Sequence, residues 1–180
     1  MRKNFKVSAC IYPQPVAVLG TYNEDLSANA MTAAWVGVYD YEKLFIALAE
    51  HRSTDNIRRN KEFTVSVADA LHVKQADYVG MVSGNEVEDK VEKCGLHPIK
   101  AEKVNAPIFE EFPIALECTL DKENEYGIIA NIVNVSIDER VLDENGKVDP
   151  EKLQAISLDP LNNQYLMVKE VVGPAFEEGE

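Results

Sequence analysis

Short apolar runs, irregularly spaced and broken by turn residues, set the hydrophobic pattern of this chain. Pro15-Val16-Ala17-Val18-Leu19-Gly20-Thr21 is β-branched and flanked by prolines, which predicts a strand buried on both faces. The turn Tyr22-Asn23-Glu24-Asp25 follows it. Leu44 to Ala49 predicts a second buried strand, and Phe63 to Val67 alternates as a third. Ile114 to Leu120 alternates as well, and Gly127 to Ile137 is long enough for a major strand with a bend or bulge. Its expected partner is the preceding strand, joined through a turn around Asp121 to Glu125.

Helices are predicted between these runs. Ser53 or Thr54 is a candidate N-cap for a helix through Arg59, and Asp69 for one reaching about Val79. Val87 to Cys94 predicts a third, short and charged. Asp149 before Pro150 at the first helical position predicts a brief helix through Ala155. Short helices among irregularly spaced strands do not form regular βαβ repeats, so a mainly β, antiparallel barrel with short helical insertions is expected over residues 1–180 as one domain. Asp143 to Lys147 is a turn and Glu177 to Glu180 a frayed tail.

At 180 residues with 46% hydrophobic content, the chain buries enough surface to hold a core without metal or disulfide. Its 18 Lys and Arg stand against 31 Asp and Glu, a net charge of −13. Such a surface repels nucleic acid and anionic membranes, so neither is expected as a partner. Any phosphate would have to be held by a local cluster of donors working against the global field. The three cysteines, Cys10, Cys94 and Cys118, are odd in number and scattered, and residues 1–8 hold too short an apolar stretch for a secretory signal. A cytoplasmic location is the expectation. No apolar run approaches the ~20 residues of a membrane helix.

The dinucleotide fingerprint, the P-loop and the G-x-S-x-G elbow do not occur in the sequence. Cys94-Gly95-Leu96-His97 has ligand-like spacing but lacks the second pair a tetrahedral zinc site needs, so no metal is expected; a helix-terminal Cys, a C-cap Gly and a loop His account for it.

Three segments carry candidate chemistry. Ser27-Ala28-Asn29-Ala30-Met31-Thr32-Ala33-Ala34-Trp35 is a run of small and hydroxyl residues ending in the only Trp. Small side chains let a flat ring approach the backbone, although a strand with a core Trp is the plainer account. His51-Arg52-Ser53-Thr54 lies where a strand ends and a helix begins, so free N–H groups, two hydroxyls and a guanidinium form a phosphate cradle there. An ordinary N-cap explains the same residues. Ser83-Gly84, followed by Lys90, offers a hydroxyl, a close backbone and a cation, or simply a turn and a solvated helix face.

In this order the segments resemble the flavin reductase-like family of FMN-binding split barrels. The likeness runs through Asn29-x-x-Thr32-x-x-Trp35, Arg52-x-Thr54-x-x-Ile57, Glu62-Phe63-Thr64-Val65, Ser83-Gly84 with Asp89-Lys90 and Gly95-Leu96, Ala106-Pro107, Leu116-Glu117-Cys118, Tyr165 and Val172 to Phe176. The resemblance implies a six-stranded split barrel of antiparallel, Greek-key type, a homodimer, and FMN near the subunit interface. It implies Asn29, Ala30, Met31, Thr32 and Trp35 around the flavin ring, Arg52, Ser53 and Thr54 at the phosphate, and Ser83, Gly84 and Lys90 as further contacts. Members often carry a His before the long late strand, where this chain has Glu123-Asn124-Glu125-Tyr126.

The leading functional expectation is an oxidoreductase in which NADH or NADPH reduces bound FMN, which passes electrons to a flavin or protein acceptor. Hydride chemistry belongs to the cofactor, so no acid–base dyad is required of the protein. A non-enzymatic FMN electron carrier is the alternative, its acidic surface suited to a basic redox partner protein. A barrel that binds no flavin is the third reading.

Overall fold

The computed structural model describes residues 1–176, so the expected tail at Glu177 to Glu180 lies outside the described residues. The chain runs β1 (Gln14–Pro15), β2 (Ala17–Tyr22), β3 (Ala28–Ala33), β4 (Val36–Asp40), β5 (Lys43–Ile46), α1 (Arg52–Asn60), β6 (Glu62–Val67), α2 (Val73–Met81) and α3 (Lys90–Lys93). It continues with β7 (Pro98–Lys100), β8 (Pro107–Phe109), β9 (Ile114–Asn124), β10 (Gly127–Ile137), a 3-10 turn at Glu139–Val141, α4 (Pro150–Leu153), β11 (Ala155–Asp159) and β12 (Gln164–Val168).

The main sheet is antiparallel and curled, in the order β3-β2-β6-β9-β10-β5-β4. It has seven strands where the resemblance implies six. A smaller sheet, β1-β11-β12, and the hairpin β7-β8 flank it. The mainly β split-barrel expectation holds. So does the burial of β2 on both faces: Leu19 packs with Met31, Ile46, Ile57, Phe63, Cys118 and Ile128, while Val18 packs with Ala30, Val79, Phe109 and Ile156 beneath α2 and α3.

β9 and β10 pair as expected, with register shifts at Ile129/Ala130 and Ile132/Asn134 supplying the anticipated bulges. Their connection is tighter than predicted, because β9 stays paired to Asn124 and only Glu125 and Tyr126 form the turn. Gly127 takes φ +150, and a Cβ there would stand 2.2 Å from the Ile46 carbonyl oxygen, so the backbone beside Tyr126 presses directly on the end of β5. β5 itself stops at Ile46, which leaves Ala47, Leu48 and Ala49 in a loop instead of the expected strand.

The helix caps are the main departures from the sequence reading. His51, in extended conformation and without a side-chain cap bond, precedes α1; Ser53 and Thr54 sit within its first turn. Both hydroxyls have tertiary partners instead, since Thr54 Oγ1 donates to the Ala49 carbonyl at 2.7 Å and Ser53 Oγ accepts from Asn29 Nδ2 at 2.8 Å. Asp69 accepts from the His72 N–H at 2.8 Å, but α2 begins only at Val73 and runs to Met81. The third helix shrinks to Lys90–Lys93. Asp149 caps α4 as predicted, accepting from the Glu151 N–H, yet the helix ends at Leu153 because Gln154 turns left-handed and Ala155 opens β11.

Candidate functional site

β3 and β4 are the two edges of the curled sheet, and a cleft of about 530 Å³ opens along β3. Its walls are β3 from Asn29 to Ala33 (Ala30 excepted) with Ala34 and Trp35, the loop Ala47–Ala49, the start of α1 at His51–Ser53, and residues 79–84 at the end of α2. Lys90 and Tyr126 complete the lining. The edge position of β3 matters chemically. One side of its backbone is paired with β2, and the other leaves alternate N–H and C=O groups without a strand partner among the described residues.

Of the eleven residues singled out from sequence, nine line this cleft: Asn29, Met31, Thr32, Trp35, Arg52, Ser53, Ser83, Gly84 and Lys90. Two do not. Ala30 is fully buried, packed in the layer that includes Ala76 and Val79. Thr54 is buried behind the lining, its hydroxyl taken up by the Ala49 carbonyl. Trp35 is not a core residue; it lies in the bend between β3 and β4 and is 63% exposed.

The cleft rests on a buried polar network. Asn29 Nδ2 donates to Thr21 Oγ1 at 3.1 Å and to Ser53 Oγ at 2.8 Å, tying β3 to α1. Asn56 Nδ2 donates to Thr21 Oγ1 and to Asn23 Oδ1, extending the network along the inner face of the helix. Thr32 Oγ1 donates to the Ala76 carbonyl, which ties β3 to α2 on its other side. Against this frame Gly84 makes a close approach: a Cβ would fall 2.7 Å from Asn29 Oδ1 and 3.4 Å from Arg52 Cβ. Only glycine lets the 83–85 loop close over the start of α1.

The electrostatics of the cleft run against those of the whole chain. His51, Arg52 and Lys90 line it, and no Asp or Glu among the described residues does. Arg52 Nε donates to Asn85 Oδ1 at 3.1 Å, which fixes the guanidinium and leaves its terminal nitrogens to a ligand. Lys90 is only 3% exposed, and its Nζ donates to the Val79 carbonyl at 3.2 Å and the Val82 carbonyl at 2.9 Å. Burial, with a smaller contribution from Arg52, pushes its ammonium down to about 8. A second hollow of about 520 Å³ has the opposite character, presenting Asp25, Glu88, Asp89 and Glu92.

His51, Tyr126 and the loop Ala47–Ala49 were not singled out as site residues. Tyr126 is brought to the cleft by the two-residue turn and the close packing of Gly127 on Ile46, a tertiary arrangement with no local signal. His51 opens the cradle segment, but with the cap expected at Ser53 or Thr54 its place before α1 had no signal in the sequence. Cys94 and His97 have separate partners: the thiol bonds to the Val91 carbonyl, and the imidazole pairs with Glu111 at 2.6 Å. Burial raises the Cys94 thiol and pushes Cys118 up to about 12, which keeps both protonated at neutral pH.

Comparison with known proteins gives this cleft its family. A profile of the flavin reductase like domain matches residues 8–160, the greater part of the chain and all of the cleft lining. The chain belongs to the flavin reductase-like family. Within it, flavoredoxin of Desulfovibrio vulgaris (Miyazaki F) is 33% identical with a TM-score of 0.95, each chain covered in full. Flavoredoxin from Methanosarcina acetivorans is 28% identical with a TM-score of 0.85, over 99% of this chain and 98% of that one. An uncharacterized protein of Archaeoglobus fulgidus is 34% identical over 102 residues, 55% of this chain; the match spans 57% of that protein. Tyr165 and the Val172 to Phe176 segment lie beyond the residues the family profile matches. Tyr165 ties β12 to α2 through a 2.8 Å bond to Asp77. No helix among the described residues is long and apolar enough to cross a membrane.

Proposed function

We propose that the cleft binds FMN and that the protein is an FMN-dependent oxidoreductase. The observation that carries this is the pairing, in one acid-free cleft, of an edge strand of small residues with a cationic helix N-terminus. Free main-chain groups along Asn29 to Ala34 suit the hydrogen-bonding edge of a flat ring, and Trp35 and Tyr126 offer aromatic faces beside it. Arg52, Ser53 and the open N–H groups of α1 suit a phosphate, with Lys90 adding a cation from the other wall. Bound there, FMN supplies hydride and single-electron chemistry. The residues themselves bind, orient and exclude water.

In this reading NADH or NADPH is the electron donor and a flavin or protein is the acceptor. The likeness to two flavoredoxins favours a second reading, in which the protein carries electrons between partner proteins without a nicotinamide reaction. An anaerobic titration of the FMN-loaded protein with NADH and NADPH separates the two. Bleaching of the flavin absorbance by either donor within seconds supports the first, and no bleaching supports the carrier. The acidic surface would steer a basic redox partner. The chain is also proposed to work as a homodimer, since the edge strand β4 presents Val38, Tyr39 and the adjoining Tyr41 to solvent.

A further inference from the structure

Residues 5–11 alternate along the chain, with Phe5, Val7, Ala9 and Ile11 apolar and Lys6, Ser8 and Cys10 between them. Period two is the pattern of a half-buried strand. Yet this segment forms no strand. Every residue from Met1 to Pro13 is exposed, Phe5 at 84% and Val7 at 98%, and among the described residues its one backbone hydrogen bond joins the Cys10 N–H to the Ser8 carbonyl. The sequence is that of a sheet strand, and within one copy it pairs with no strand among the described residues.

A matching edge exists on β10. β9 pairs with one side of it through Ile137, but β5 covers the other side only from Ile128 to Asn131. The Ile132 N–H reaches the Glu42 carbonyl at 2.8 Å, and beyond that the edge has no strand partner among the described residues. Val133, Val135 and Ile137 on this free stretch are exposed. A long apolar edge of this kind is a template for strand addition.

Charge specifies the pairing further. Residues 1–13 hold Arg2, Lys3 and Lys6 and no acid, whereas the other 167 residues hold 15 Lys and Arg against all 31 acids, a net of −16. A basic arm is therefore drawn to an acidic body. We infer that the N-terminal arm of one copy adds as a strand to the free β10 edge of a second copy. This rests on the homodimer proposed above and names the contact that closes it.

The test uses the full chain with Cys94→Ser, which leaves Cys10 as the exposed thiol for a photo-crosslinker. Unlabelled and 15N-labelled protein are mixed, irradiated and digested. Crosslinks that join a labelled to an unlabelled chain, mapping to residues 133–137, are expected. In parallel, deletion of residues 2–11 and the triple charge reversal Arg2→Glu/Lys3→Glu/Lys6→Glu are followed by sedimentation on dilution. Each should weaken self-association about tenfold or more, and added salt should weaken wild type but hardly affect the deletion. Crosslinks confined to one chain, or a dimer indifferent to loss of the arm, overturn the arm contact alone. A wild-type protein that stays monomeric at every concentration overturns the homodimer and the arm together.

Discussion

Arg52→Ala isolates the phosphate half of the proposed FMN site. Arg52 is half-buried and anchored through Nε to Asn85, so its terminal nitrogens are pre-set and little entropy is lost when they meet an anion. A hydrogen bond to a charged group contributes about 1.5–3 kcal/mol, and each 1.4 kcal/mol is about tenfold in affinity, so FMN should bind about ten- to a hundredfold more weakly. Riboflavin lacks the phosphate and should bind both proteins alike. Because the stem of Arg52 also packs near Gly84, thermal melts must accompany the titration of apo protein with both flavins. Thr54→Ala gives a second control: its hydroxyl faces the Ala49 carbonyl, so it should cost stability and leave intrinsic FMN affinity unchanged. Equal FMN affinity in wild type and Arg52→Ala, or parallel losses for both flavins, would refute the placement of the phosphate at α1.

Three further outcomes are expected. Gly84→Ala should push Asn29 Oδ1 out of place and strain its bonds to Thr21 and Ser53; overpacking of this kind costs about 1–3 kcal/mol and should lower both melting temperature and FMN affinity, measured by calorimetry and flavin titration. FMN affinity should fall as pH rises past about 8, where buried Lys90 loses its proton, and the dependence should vanish in Lys90→Met; a pH-independent wild-type affinity between 7 and 9.5 would contradict this. Glu117 is buried and accepts from the Glu102, Lys103 and Val104 N–H groups and from Asn134; burial raises its carboxyl, but these bonds outweigh it and hold the group below its ordinary value. The stability it contributes is present above the unfolded carboxylate range and lost as pH falls through the lower folded value, so Glu117→Gln should destabilise by about 1–3 kcal/mol at pH 7 and flatten the acid limb of a denaturation series.

The fold was legible where side chains alone dictate it. β2 and β10 carry β-branched runs whose burial follows from local composition, and the bulges of β10 follow from its length. β3 was harder, because Ala28-Asn29-Ala30-Met31-Thr32-Ala33 has weak strand propensity and is held extended by full-length pairing with β2. The cap of α1 differs from the reading for a related reason. Ser53 and Thr54 have the chemistry of an N-cap, but Asn29 and Ala49, distant or outside the helix, claim their hydroxyls first. Trp35 looked like a core residue by type and is a cleft residue by position, since the bend after β3 places it at the open edge. Lys90 belonged to a charged segment that suggested a solvated face. Nothing local shows that it folds inward to the carbonyls ending α2. Alternation in residues 5–11 is the converse case, a strand pattern that one copy of the chain leaves unused.

The central claim is that this acid-free cleft on an acidic protein is built for FMN. It is tested most directly by titrating apo protein with FMN while following flavin fluorescence, with riboflavin and FMN plus excess inorganic phosphate as comparisons. The account predicts saturable binding of one FMN per chain, weaker binding of riboflavin, and competition by phosphate that disappears in Arg52→Ala. Failure to bind FMN, or equal affinity for FMN and riboflavin with no effect of phosphate, would contradict it.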